Sequence, residues 1–574
     1  MVTLKEIEMV TKKLGAAVFG TVLALHGIMP DAFAEVPGGR LGDFVEMARH
    51  CVPLSERSEW SAHTTLNGCL KLVEMYESSG DKAVFDAVVA TGWDIACEDG
   101  YVSDAETSEK WKRLCRKLRK ITGDVRWDEQ LSKAEYRIEG SSRRLDRSKF
   151  IVGAYGLGGI KNLEERHVRE LSECGIDLVS IGGNAVSIES SGRRRDEILD
   201  WCLKYGVKCI LGWQLPGDWA WNGGDAKKKY AKGERWAKCD MNRFDAYTAR
   251  FRDHPAVAMI ATCDEPNALD YPFRAKFTRR VMRNFPNQVP LFNLFPNYAL
   301  PDDAGNERAV QQLGTKDYEQ YVAEYCKYIP LDYVSYDFYP WAWNVKFRQF
   351  YDNLRVVADA CGATGKSHWL YLQCTRYNQD KKERYPTMDE PRLRYQAASA
   401  LAYGAECIIW ACWAPSWGGW DINAVDADGQ PTVVYAPLKK VNAALHALSP
   451  DYMKYRRMTT DLVGLAGELA ESSGTAFRNV KATDGTALAV GHFAARSGNG
   501  DYAIFIAAID DPNGRNVVDH KVTFAMPHKG FTIRAVDGDG CVDVATTADR
   551  MMSVPLRTCR GVLVLAERKE GDGK

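Results

Sequence analysis

From Lys149 onward the apolar residues gather in short unbroken runs, each followed by a longer stretch with three- and four-residue apolar spacing. Unbroken runs suit parallel strands covered on both faces, and the longer spacing suits amphipathic crossover helices. The runs are Phe150–Tyr155, Leu178–Ile181, Cys209–Trp213, Val257–Thr262, Pro290–Leu294, Tyr333–Tyr336, Trp369–Gln373 and Cys407–Trp410. Helical spacing fills Glu164–Cys174, Arg193–Lys204, Tyr318–Lys327, Phe347–Ala360 and Arg392–Tyr403, and Pro437–Leu448 supplies a closing helix. Eight parallel strands with crossovers over residues 148–450 predict an α/β fold, a (β/α)8 TIM barrel. A doubly wound open sheet is the alternative, but the glycine fingerprint it favours is missing.

The flanks read differently. Residues 35–147 are helical in pattern, with Leu66–Tyr76, Ala83–Ala96 and Ser108–Ile121 as the clearest segments and the Arg-rich 141–147 stretch as a linker. After Pro450 the helical period fades. Ala487–Phe493, Asp501–Ala508, His520–Phe524, Thr532–Val536 and Gly561–Leu565 alternate or are rich in β-formers, with Gly-Asn-Gly and Asp-Pro-Asn-Gly turns between them. This predicts a C-terminal antiparallel β-sandwich over 451–574, serving as a buttress. At the other end, Lys12 and Lys13 precede an apolar run from Leu14 to Ile28, and Ala32-Phe33-Ala34 supplies a small-residue cleavage pattern. Residues 1–34 are therefore expected to be a signal peptide, and the protein secreted or periplasmic, with no integral membrane span after cleavage.

Composition narrows the function. The formal net charge is −1, with 75 basic and 76 acidic residues, which leaves no electrostatic footprint for nucleic acid. The 16 cysteines fall inside apolar segments at irregular spacing, as small buried hydrophobes do, so neither a disulfide framework nor a metal site is expected. No cofactor is implied, and the oligomeric state is not legible. Of the 16 tryptophans, twelve lie between Trp201 and Trp420 and none follows, which points to an aromatic-lined cleft in the central domain.

In a barrel of this kind the catalytic groups collect just after the strands. The fourth strand ends in Asp264-Glu265-Pro266, and a proline there stops the ladder with both carboxyls at the mouth. The sixth ends at Asp337. Around them the strand ends offer Tyr155, Asn184, Trp213, Trp219, Asn293, Tyr339, Trp341, Gln373, Trp410 and Trp413 as candidate binding residues. Carboxyls, amides and flat rings are the inventory a sugar needs, because C–H faces stack on rings while hydroxyls pair with amides and acids. Glycosidic cleavage needs a proton donor and usually a second carboxylate. Glu265 is the expected acid, with Asp337 or Asp264 as its partner. A second Asp-Glu-Pro, at 389–391, opens a long amphipathic helix and reads as a cap.

The succession Asp264-Glu265-Pro266, Asn293-Leu294-Phe295-Pro296-Asn297-Tyr298, Tyr336-Asp337-Phe338-Tyr339-Pro340 and Leu401-Ala402-Tyr403-Gly404-Ala405 resembles secreted, glycoside hydrolase-like barrel proteins of polysaccharide-degrading bacteria. Tyr435-Ala436-Pro437-Leu438-Lys439-Lys440-Val441-Asn442 is similar as well, and the likeness covers roughly 150–510. It implies a barrel, carbohydrate hydrolysis and Glu265 at the acid/base position, whereas Gln373 departs from the common two-glutamate pattern at the seventh strand. Four readings stay open, the first three being a hydrolase of poly- or oligosaccharides, an inactive carbohydrate-binding barrel, and a substrate-assisted hexosaminidase using Asp264 and Glu265. A structural or adhesion protein is the fourth.

Overall fold

The computed structural model describes most of the chain from Cys69 onward. Outside the description lie residues 1–68, 91–104, 132–144, 182–191, 212–253, 300–311, 343–344, 379–384, 527–529, 547–550 and 570–574, with isolated positions between 71 and 90 and at 129 and 286. The expected signal segment, Asn184, Trp213 and Trp219 all fall there. Among the described residues no helix is long and apolar enough to cross a membrane. The chain divides into two compact units, Met1–Glu139 and Gly140–Lys574.

The first unit contains α1 (Ala105–Thr122), whose Trp111, Leu114, Cys115 and Leu118 form a buried stripe at helical spacing. Trp111 packs edge-on against Trp127 at 6.4 Å between ring centroids. Surface ion pairs join α1 to the preceding helical segment (Arg113–Glu74 and Lys117–Glu77) and contribute little to stability.

In the second unit the parallel strands are β1 (Ile151–Ala154), β2 (Leu178–Ser180), β3 (Lys208–Leu211), β4 (Val257–Asp264), β5 (Val289–Asn293), β6 (Tyr333–Phe338), β7 (Ser367–Gln373) and β8 (Ala405–Ala411). Their order, β5-β4-β3-β2-β1-β8-β7-β6, is that of an opened barrel, and a parallel bridge from Leu294 to Tyr336 joins the two ends. Leu294 N donates to Ser335 O at 2.8 Å across that seam. All eight expected strands are present. Around them run α2 (Glu165–Glu173), α3 (Gly192–Lys204), α4 (Tyr271–Asn284), α5 (Tyr318–Tyr328), α6 (Phe347–Thr364), α7 (Glu390–Ala402) and α8 (Tyr435–Tyr452). The helix α4 was not among those the spacing picks out, because its buried face includes Arg274 and Thr278 beside Tyr271, Phe277 and Val281.

The C-terminal strands are β9 (Tyr455–Val463), β10 (Arg478–Ala482), β11 (Leu488–Ala495), β12 (Tyr502–Ala508), β13 (Asp519–Ala525), β14 (Phe531–Asp537), β15 (Gly540–Val542), β16 (Ala545–Thr546), β17 (Met552–Arg557) and β18 (Gly561–Arg568). They form a six-stranded sheet, β9-β11-β12-β18-β14-β15, over a four-stranded one, β10-β13-β17-β16. Alternation along β12 shows why the larger sheet is apolar on both faces. Ile504 and Ile506 enter the sandwich core with Val522 and Val554, while Ala503, Phe505 and Ala507 join the barrel's core. The sandwich is thus packed on the barrel, as a buttress requires. Among the described residues the cysteines are free, and most are buried.

Candidate active site

The site is built at the C-terminal ends of β4, β5 and β6. The local geometry begins with a bulge. Ala261 pairs with Leu291, but the next pair is Cys263 with Phe292, so Thr262 is the extra residue and Asp264 comes to lie beside Asn293. Two bonds hold the bulge: Thr262 Oγ1 donates to Leu291 O at 2.7 Å, and the buried Arg274 of α4 donates to Thr262 O at 3.3 Å. Glu265 follows with φ of 45°, in the left-handed region a glutamate rarely adopts, and its N–H is held by Asn293 O at 2.9 Å. Neither carboxyl caps the helical turn that follows. That cap is Asn267, whose side chain accepts from Leu269 N at 3.0 Å. The other Asp-Glu-Pro behaves as expected of a cap, with Asp389 accepting from Arg392 N at 3.1 Å at the start of α7.

The side chain of Asn293 bridges the two aspartates. Its Nδ2 donates to Asp337 Oδ1 at 2.9 Å and to Asp264 Oδ1 at 3.3 Å, while Ser335 Oγ donates to its Oδ1 at 3.0 Å. The Glu265 and Asp337 carboxyls lie near enough for each to shift the other's titration. Asp337 is 5% exposed, whereas Asp264 and Glu265 keep part of their surface open.

Three acids this close in a buried site cannot all be ionised. Burial raises the Asp264 carboxyl to about 7, against the pull of its bond from Asn293. Burial and the Asp264 charge raise Asp337 to about 8, with Asn293 and Glu265 opposing. Glu265 is pushed well above the usual carboxylate range by burial and by both aspartates. Within the pair each acts on the other in the sense that favours protonated Glu265 and ionised Asp337.

Aromatic rings surround the acids. Tyr298 and Tyr339 lie on the side of Asp337 and Glu265, and Tyr155 and Tyr371 on the side of Asp264. Tyr155 packs on Trp417 at 5.2 Å, Trp417 on Trp420 at 5.5 Å, and Tyr339 on both at 5.6 and 5.3 Å. Of the expected site residues, Asp264, Glu265, Asp337, Asn293, Tyr155 and Tyr339 thus come together. Four others do not, and for them the expectation of ligand contact is corrected. Gln373 is fully buried, accepting from Trp341 N at 3.0 Å and donating to Thr375 O at 2.9 Å. Trp341 packs on Phe347 and Tyr395 and donates to Asn513 Oδ1 of the sandwich at 3.1 Å. Trp410 points outward and donates to Asn442 of α8 at 2.8 Å, and Trp413, 1% exposed, packs on Tyr435. Sequence reasoning missed Ser335, Tyr298, Tyr371, Trp417 and Trp420. Ser335 had a signal, since it sits two residues before Asp337 and shares its face of the strand.

No family model matches the chain, and no curated protein does. Solved structures similar to it include the beta-galactosidase from the Antarctic haloarchaeon Halorubrum lacusprofundi, at 13% identity and a TM-score of 0.36 over 52% of this chain and 58% of that one. The chain therefore spans less than two thirds of that protein's length. A catalytic mutant of Gan42B, a GH42 beta-galactosidase from G. stearothermophilus, matches at 9% identity and a TM-score of 0.43 over 74% of this chain and 99% of that one. The endo-beta-1,4-mannanase from Thermotoga petrophila matches at 10% and 0.37 over 74% and 96%. With TM-scores this low, none of these matches bears on the reaction.

Proposed function

We propose that the chain is an exported glycoside hydrolase in which Glu265 donates the proton to the leaving oxygen. The observation that carries this reading is the convergence of three carboxyls, from the ends of β4 and β6, on the C-terminal mouth of a parallel barrel beside a wall of rings. A carboxyl kept protonated at neutral pH by its surroundings is what a general acid requires. Glu265 has both the proton and the open surface, while Asp337 is buried. The faces of Trp417 and Tyr155 suit the C–H side of a sugar ring. Export rests on the Lys12-Lys13, Leu14–Ile28 and Ala32-Phe33-Ala34 pattern. It predicts a mature N-terminus after residue 34 in protein recovered from the periplasm or medium.

Gln373, neutral and buried at the end of β7, favours a second reading of the chemistry. Two carboxyls that flank a sugar stand roughly 5–9.5 Å apart, so that a nucleophile or water fits between them. Gln373 supplies no charge to stand opposite Glu265, and Asp337 is itself buried. Substrate assistance answers this: Asp264 orients a 2-acylamino group of the sugar, whose carbonyl oxygen attacks the anomeric carbon while Glu265 protonates the leaving oxygen. The test is release of 4-nitrophenol from aryl glycosides with and without a 2-acetamido group, by wild type and by Glu265→Gln. A drop of about 10²-fold or more in the variant is expected for a lost general acid. Hydrolysis confined to the 2-acetamido sugars selects substrate assistance. Sugar binding with no release by wild type would make the barrel a binding protein and end the hydrolase reading.

A further inference from the structure

Asn293 touches all three acidic residues. Its backbone carbonyl accepts from Glu265 N at 2.9 Å, and its amide donates to Asp337 at 2.9 Å and to Asp264 at 3.3 Å. Its remaining side-chain atom accepts from Ser335 Oγ at 3.0 Å. Both residues are buried, Asn293 at 4% and Ser335 at 0% exposure, so these bonds are not shared with bulk water. An N–H bond to a carboxyl favours its ionised form. The amide has two possible orientations, and the flipped one would aim an oxygen at two acidic side chains. A hydroxyl donated to Oδ1 secures the other orientation.

We propose that Ser335 and Asn293 form a proton-steering pair, which favours the ionised forms of Asp264 and Asp337 relative to that of Glu265, so that Glu265 is the last of the three to give up its proton. This rests on the reading of Glu265 as the acid, and it makes both positioning residues that act through the carboxyls. The other titratable groups facing the cluster are phenols. Tyr298, Tyr318 and Tyr339 face Asp337, and Tyr155 and Tyr371 face Asp264, all raised by burial and neutral across the working range. The amide thus biases the proton toward Glu265, because both of its N–H bonds go to aspartates.

The experiment is an infrared titration of the protonated-carboxyl band in the full chain, paired with pH profiles on the aryl glycosides. The Glu265→Gln background isolates the two aspartates. Adding Ser335→Ala there is expected to raise their titration midpoints by about one pH unit, a tenfold change in proton affinity. Ser335→Thr, which keeps the hydroxyl, is expected to leave them in place. With Glu265 intact, Ser335→Ala is expected to lower kcat and move the limb of the profile that reports the acid, with KM unchanged. Coincident midpoints in the alanine and parent proteins overturn the proposal, and so does an equal shift in the threonine variant, which would make the effect one of packing. If the midpoints shift but no glycoside is cleaved, proton steering stands and the hydrolase reading falls. If hydrolysis depends on Glu265 while the midpoints coincide, the reverse holds.

Discussion

Replacing Asp264 by Asn tests the claim that the mouth of the barrel holds a carboxyl whose charge is costly to bury. Burial holds the Asp264 carboxyl at about 7 against an ordinary 3.8, a rise of roughly three pH units at about 1.4 kcal/mol each. For a raised carboxyl the sign is fixed: folding carries no penalty below the ordinary value, a growing one as pH climbs toward 7, and the full one above it. The ceiling at pH 8 is about 4 kcal/mol, and the residual solvent contact of this side chain halves it to about 2. An asparagine has no charge to bury, and its carbonyl can still accept from Asn293. At pH 5 more than a third of that penalty is already present, so between pH 5 and 8 the variant should gain on wild type by about 1.4 kcal/mol, or roughly 1.5 °C in Tm for a unit this large. Thermal melts of both proteins at the two pH values give the answer. A stability gap that does not change with pH would refute the buried-charge reasoning, whatever happens to activity.

Three further outcomes follow from the same geometry. Arg274→Leu removes the donor to the carbonyl freed by the bulge at Thr262 and should cost about 1–3 kcal/mol, with lower kcat because Asp264 and Glu265 lose their seating. Urea midpoints alongside turnover of an aryl glycoside would check it, and unchanged kcat would separate the bulge from the chemistry. Asp389→Ala should lose about 1 kcal/mol of helix capping and leave hydrolysis intact, which distinguishes the two Asp-Glu-Pro copies in one assay. Gly491→Ala would put a methyl 2.1 Å from the Ala402 carbonyl oxygen, where the sandwich meets α7. A Tm about 1–3 °C lower, from about 1–3 kcal/mol of overpacking, is expected, and an unchanged Tm would mean that the interface is looser than its geometry.

The eight strands were legible because each contains a short, mostly apolar run, the pattern of a strand covered on both faces. Where burial and polarity part company, legibility ends. The helix α4 hides Arg274 and Thr278, and β9 carries Arg456, Arg457, Thr459 and Thr460 along a ladder whose ends alone are buried. The same limit governs the site. Reading residues from the strand ends brought out Asp264, Glu265, Asn293 and Asp337, because position along a strand is written in the sequence. It misassigned Trp410 because a strand has two sides, and this ring lies on the one that meets Asn442 of α8. Least legible is the contact that most changes the chemistry. Without the extra residue at Thr262, Asn293 would stand opposite Cys263 instead of Asp264. That shift of one place depends on a buried arginine from the helix that the pattern missed. The hidden cation and the convergence of the acids are thus one feature of the fold: Arg274 holds the bulge, and the bulge delivers Asp264 to Asn293.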